Sequence, residues 1–201
     1  MTRQISFAVV ADGGTDRALV PILRWAIHRL DPDVEILEPD FVKRQGSMRD
    51  FLDKFRTGAS LVFVHRDAES VPLKTRLTEF DGLGRADVVP VVPVRMTEAW
   101  LLIDRAAIAR AAGRPDAVIR LPAIAALERL ADPKDQLERL LLEAAGSPTG
   151  RRYKQFRASL VERRVNVAGL TRDFSPLERL KAFQRFQRAL ADCYPYRPAR
   201  P

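Results

Sequence analysis

Asp12, Asp16, Asp67 and Glu69 are the residues whose types and spacing suit chemistry. Asp12 and Asp16 flank Gly13-Gly14-Thr15 just after an apolar run from Ile5 to Val10, and Asp67 and Glu69 follow a second run, Leu61 to Val64. If both runs are parallel strands, their carboxyl ends face the side on which open α/β sheets bind ligands. Four carboxylates delivered to one edge point to a divalent cation, and through it to a phosphate. Magnesium or manganese is expected, held by a few carboxylates together with water and substrate oxygens. Gly13 and Gly14, placed before a helix start, offer backbone amides to an anion. The flanking acids would repel that anion unless a cation sat between them. Asp67 and Glu69 lie two apart, so in extended backbone their side chains point the same way. Four acids without a counter-charge would raise one another's pKa, and a bound metal relieves that.

Other uses of these residues stay open. Asp12 and Asp16 also suit a turn with an acid in the first turn of the following helix. Arg66 and Arg95 are placed to balance the acids of the second loop, and His65, Arg66 and Arg95 also suit a substrate phosphate. Glu98, just past a fourth apolar run, either joins the metal-binding acids or is a helix N-terminal acid favoured by the dipole. Trp100 reads as core. Neither GxGxxG nor GxxxxGK[ST] occurs, so dinucleotide and P-loop readings have no motif. One cysteine, Cys193, and two histidines, His28 and His65, leave no intrachain disulfide, no thiolate zinc cage and no His-based metal centre without carboxylates.

The elements that must position these groups alternate strand and helix. Ile5 to Val10 predicts a strand covered on both faces, and a helix follows from about Thr15 as N-cap, with Leu19, Ile22, Leu23, Ala26, Ile27 and Leu30 on one face until Asp31-Pro32. Val34 to Leu37, extending toward Val42, predicts a second strand, Ser47 to Phe55 a helix, and Leu61 to His65 a third strand. Val88 to Val94 predicts a fourth, placed at an edge by Pro90 and Pro93. The order favours a parallel sheet with right-handed crossovers. Beyond it, helices are expected over Thr97 to Ala112, Leu121 to Leu130, Pro133 to Ala145, Gly150 to Arg163 and Pro176 to Asp192. The last should start from a capping box of Ser175, Pro176 and Glu178.

The chain has 201 residues and a net charge of +8. The charge is unevenly spread: residues 1–100 hold 14 Lys and Arg against 15 Asp and Glu, whereas residues 151–201 hold 13 against 4. A basic end joined to an acidic site fits a protein that attracts a polyanion, although an arginine-rich chain also builds solvated basic helix faces. Arg151, Arg152, Lys154 and Arg157, interleaved with Tyr153 and Phe156, are candidate phosphate contacts, as are Arg163 and Arg164. No run of 18 or so apolar residues predicts a membrane span, and the start lacks the long apolar segment of a signal peptide, so a cytoplasmic protein is expected.

A strand running into DGGTD and a helix, then a later apolar strand running into DAE, resembles the Toprim pattern of primases, topoisomerases and OLD-type nucleases. The segments RMTEAWLLID (Arg95 to Asp104) and DPKDQLERLL (Asp132 to Leu142) resemble those of uncharacterised bacterial Toprim-like families. The core resemblance covers about residues 5 to 100. It implies an α/β fold, a Toprim-like parallel four-stranded sheet flanked by helices; the helical periodicity and charge beyond it give a mostly helical, basic extension over 101–193, and the proline-rich, basic end a disordered tail over 194–201. By position Asp12 takes the role of the family's Glu as metal ligand or general acid/base, and Asp16, Asp67 and Glu69 take the other acidic positions. Asp replaces Glu at 12, and Glu replaces the second Asp at 69. The resemblance implies metal-dependent phosphodiester cleavage of nucleic acid, catalysed through Asp12, Asp67 and Glu69, in a phage-defence setting and with a partner ATPase. The shortened side chain at Asp12 favours instead a non-catalytic module that binds nucleic acid or a partner, and a small-molecule phosphatase is a third reading.

Overall fold

A computed structural model describes residues 3–196. The N-terminal strand is broken at Ser6 into β1 (Gln4–Ile5) and β2 (Phe7–Ala11). β1 pairs in parallel with β3 (Glu35–Ile36), and β2 pairs with both β4 (Asp40–Lys43) and β5 (Leu61–His65). β5 in turn pairs with β6 (Val88–Val91). The result is a four-stranded, wholly parallel sheet in the order β4-β2-β5-β6. The expected edge position of the proline-bearing strand holds, with Pro90 opposite Val64. The strand is shorter than its apolar run because pairing ends at Val91.

Side-chain alternation divides the sheet between two cores. Phe7, Val9, Leu61, Phe63, Val89 and Val91 face the larger one, which continues through α1 (Leu19–Leu30) into the C-terminal helices. Val10, Val62, Val64 and Val88 face the smaller, closed by Met48 and Leu52 of α2 (Met48–Lys54). Every residue of β2 and β5 is buried, which explains their unbroken apolar composition. A short α3 (Leu73–Leu77) lies on the crossover to β6.

The helical half consists of α4 (Arg105–Ala111), α5 (Pro133–Ala144), α6 (Gly150–Ala158), α7 (Leu160–Leu170) and α8 (Lys181–Cys193), with intervening 3₁₀ turns. Three expected helices are broken by local backbone competition. Thr97–Leu101 is 3₁₀, and α4 begins afresh where the Asp104 carboxylate accepts the Ala107 N–H at 3.0 Å. The Ser159 hydroxyl donates to the Phe156 carbonyl at 2.9 Å and separates α6 from α7. Ser175 forms no capping box: its hydroxyl donates to Asp173 at 2.7 Å, and α8 starts only after the extended Leu180. Thr15 likewise is no N-cap, because Gly14–Ala18 is 3₁₀ and α1 begins at Leu19.

No second core begins near residue 100. Trp100 packs edge-on against Phe183 at 5.2 Å and against Phe186 at 6.1 Å, and Phe186 meets Phe63 of β5 at 6.1 Å. The chain end is tied in as well. Asp31, at the C-terminus of α1, accepts the Tyr194 hydroxyl at 2.9 Å and the Arg3 guanidinium at 2.6 Å, and the Tyr196 hydroxyl reaches the Gln4 carbonyl. The expected disordered tail over 194–201 therefore starts with a buried Tyr194; residues 197–201 lie outside the described residues. No helix among the described residues is long and apolar enough to cross a membrane.

A shared core predicts one cooperative unit. Urea unfolding followed by circular dichroism and by tryptophan fluorescence should give coincident transitions. Trp100→Ala should lower stability by about 3–5 kcal/mol in that single transition. Two separated transitions would show independent halves.

Candidate functional site

Between the carboxyl edge of the sheet and the helical half lies a pocket of about 220 Å³. Asp16, Asp67 and Glu98 line it from the sheet side, and Lys134 of α5 and Arg164 of α7 line it from the helices. Each acid has a distinct anchor. Asp16 is the third residue of the 3₁₀ turn after β2, where its Oδ2 accepts the Gly13 N–H at 2.9 Å. Asp67 follows β5 on backbone that extends the ladder toward the segment after β6, since the Arg66 and Ala68 amides donate to the Val91 and Pro93 carbonyls. Its Oδ1 accepts the Thr97 N–H at 2.9 Å. Glu98 sits in the next 3₁₀ turn and accepts from Arg164 at 3.0 Å.

His65, the last residue of β5, lies beneath the pocket and joins the first two acids. Its Nε2–H lies 3.0 Å from Asp67 Oδ1 and 2.9 Å from the Thr97 hydroxyl. Its Nδ1 is 3.4 Å from Asp16 Oδ2, an ion-pair contact rather than a well-formed hydrogen bond. Burial opposes charge on this ring, but the Asp16 and Asp67 contacts outweigh it and push the imidazole up to about 9. Burial also works against the Asp16 carboxylate, and the His65 contact prevails there too, holding it below its ordinary value. Glu98 moves the opposite way. Burial raises it, and the charge of Asp67 adds to the rise against the pull of Arg164 and Lys134.

The expected set of four converging acids is therefore corrected. Asp12 does not line the pocket: Arg44 approaches its carboxylate at 2.6 Å and Arg66 at 3.1 Å. Arg66 balances Asp12 of the first loop rather than the acids of its own, and also approaches Glu79 at 3.4 Å. Glu69 leaves the pocket because its φ of 52° is left-handed, which ends the extended alternation that would have aligned it with Asp67. Arg95, with φ 67°, offers its carbonyl to the Glu69 N–H at 2.8 Å and likewise does not line the pocket. The acids have counter-charges in His65, Arg44 and Arg66. One of the two glycine amides, that of Gly13, is taken by Asp16, while Gly14 is exposed.

Glu98 joins the site as one reading expected. Arg164 joins it too, but as a buried pocket wall rather than a surface contact. Arg163 is structural, donating to the Ala111 carbonyl at 2.6 Å and lying over the Phe156 ring. Arg151, Arg152, Lys154 and Arg157 are exposed on α6, away from the pocket lining. Thr97 and Lys134 had no sequence signal. His65 had one: a histidine ending a buried strand two residues before an acid.

No group of three or more His, Cys, Asp or Glu side chains among the described residues is placed to hold a metal ion by itself. Magnesium does not need such a cage, being held by one or two carboxylates plus water and substrate phosphate. The oxygen donors of Asp67 and Glu98, close enough for one charge to raise the other's pKa, fit that mode. Comparison with protein-family models, curated proteins and solved structures gives no match.

The His65 shift fixes a pH dependence of stability. A folded pKa of about 9 against 6.5 when unfolded gives a stabilisation present in full below pH 6.5 and lost as pH rises through 9. Between pH 7 and 10 the wild type should lose on the order of 3 kcal/mol that His65→Asn does not lose, read from urea midpoints. Parallel pH profiles for the two proteins would contradict the charged imidazole.

Proposed function

We propose that this chain cleaves phosphodiester bonds in nucleic acid with the aid of magnesium or manganese, at the pocket of Asp16, Asp67 and Glu98. The observation that carries this reading is the division of one small pocket at the carboxyl edge of a parallel sheet, with three carboxylates on one wall and Lys134 and Arg164 on the other. Hard oxygen donors suit the cation; an ammonium and a guanidinium suit phosphate oxygens. Asp67 and Glu98 are the residues that would hold the ion. When bound, it would polarise a phosphoryl oxygen and acidify a water. Lys134, exposed at the start of α5, turns its ammonium to the substrate phosphate, and Arg164 adds a second positive group.

His65 is a positioning residue. It holds the Asp16 carboxylate below its ordinary value and fixes one oxygen of Asp67. A cation is held by the ionised Glu98, whose pKa burial raises, so cation affinity should fall as the pH is lowered. The reading places the protein in the cytoplasm with its nucleic-acid substrate.

One observation favours a second, non-catalytic reading. Asp12, at the position of the Toprim Glu in the resemblance, is held by Arg44 and Arg66 outside the pocket. On that reading nucleic acid or a partner is bound without cleavage.

End-labelled single-stranded DNA and RNA, incubated with magnesium, manganese or EDTA, separate the two. Cleavage should require the cation. Asp67→Asn and Glu98→Gln should each lower the rate by more than about 100-fold with circular dichroism unchanged, and His65→Gln by about 10- to 100-fold. Undiminished cleavage by Asp67→Asn would sink the site assignment; no cleavage by the wild type under any of these conditions would favour the binding module.

A further inference from the structure

A second groove, of about 610 Å³, opens beside β4 and α2, lined by Lys43, Gln45, Phe51, Lys54 and Phe55 and by the turn at Gly46-Ser47. We propose that it binds single-stranded nucleic acid, with an unpaired base against the Phe51 and Phe55 rings and phosphates on Lys43 and Lys54. This inference rests on the nucleic-acid reading of the neighbouring pocket and supplies what that pocket lacks, a surface for the bases.

Phe51 lies in α2, and Phe55 is the extended residue that ends it, its N–H still donating to the Phe51 carbonyl. Their rings stack, with centroids 5.3 Å apart and planes within 19°. Both pack against the smaller core yet remain partly exposed, which leaves aromatic surface facing the groove. Lys43 and Lys54 are exposed, and no ion pair is made to either among the described residues. The lining's one acid, Asp50, is engaged by the Ser47 hydroxyl at 2.6 Å. Aromatic faces beside unpaired cations are the recognition elements of single strands, since every base has a π-face and every nucleotide a phosphate. A duplex hides its bases, and an acidic peptide needs no flat rings. The volume lies within the range of ordinary small-ligand sites, enough for an unpaired nucleotide.

Position links the groove to the pocket. Lys43 ends β4, and the next residue, Arg44, reaches the carboxylate of Asp12, which opens the loop carrying Asp16. β4 is the neighbour of β2, and β2 the neighbour of β5, which delivers Asp67. The two inter-strand steps span about 10 Å, roughly three nucleotides of stacked strand. A strand lying along the carboxyl edge would set a phosphate on Lys43, about three nucleotides from the pocket, and its next bases would run down α2 toward Phe51 and Phe55.

The test is fluorescence anisotropy with labelled oligo-dT and oligo-U, on the full chain carrying Asp67→Asn so that turnover does not interfere. Phe55→Leu, which keeps apolar volume against the core, should weaken oligonucleotide binding roughly 5- to 100-fold and leave inorganic polyphosphate binding unchanged. Lys43→Gln with Lys54→Gln, both exposed and harmless to folding, should lower the salt-dependence slope for oligonucleotides by about 1.4. Equal oligonucleotide affinity in the parent and both groove variants would overturn the inference, as would a parent preference for duplex. These outcomes are separate from the cleavage reading. Loss of cleavage with groove-dependent binding intact removes only the catalytic proposal, and cleavage with groove-independent binding removes only this one.

Discussion

A buried positive charge shared by two acids organises the carboxyl edge of this sheet. His65 is almost wholly buried, an environment that by itself favours the neutral ring, yet Asp16 and Asp67 on either side hold the proton on it. Removing one partner would leave the others less compensated in the interior, so the three groups are coupled. Through them three distant segments are tied: the turn after β2 by Asp16, the end of β5 by His65 and Asp67, and the turn after β6 by the Thr97 N–H donated to Asp67 and the Thr97 hydroxyl facing the His65 Nε2–H. Glu98 follows Thr97 directly, so its approach to the pocket depends on the same anchor.

That anchor divides the edge electrically. Over β5 and β6 the acids Asp16, Asp67 and Glu98 face a pocket. Over β4 the positive residues Lys43 and Arg44 gather, with Arg66 reaching across to Asp12. The helical half is not an appendage to this arrangement. Arg164, buried and ion-paired to Glu98 at 3.0 Å and to Glu138 at 3.6 Å, forms one wall of the acidic pocket, and α8 packs its aromatic face on the sheet. The same burial that builds a single core thus also completes the site.

The strands were legible because a sheet covered on both faces needs continuous apolar runs, and Leu61–His65 was bounded correctly by its composition. The parallel order followed from alternation of strand and helix. What escaped was set by long-range pairing or by single backbone torsions. Nothing near Asp12 in the chain announces that Arg44 and Arg66 will close on it, or that Arg164 will meet Glu98 across 66 positions. The i, i+2 rule for Asp67 and Glu69 failed at one left-handed residue. The helix breaks at Ser159 and Leu180 depend on a hydroxyl and on an extended backbone that apolar periodicity does not register.

The central claim is the protonation of His65, and ¹⁵N NMR of the imidazole reads it directly. At pH 7.5 both ring nitrogens of His65 should show the shifts of an imidazolium, with loss of the proton only near pH 9. A neutral ring with one bare nitrogen at pH 7.5 would contradict the account and leave Asp16 and Asp67 without the charge that joins them.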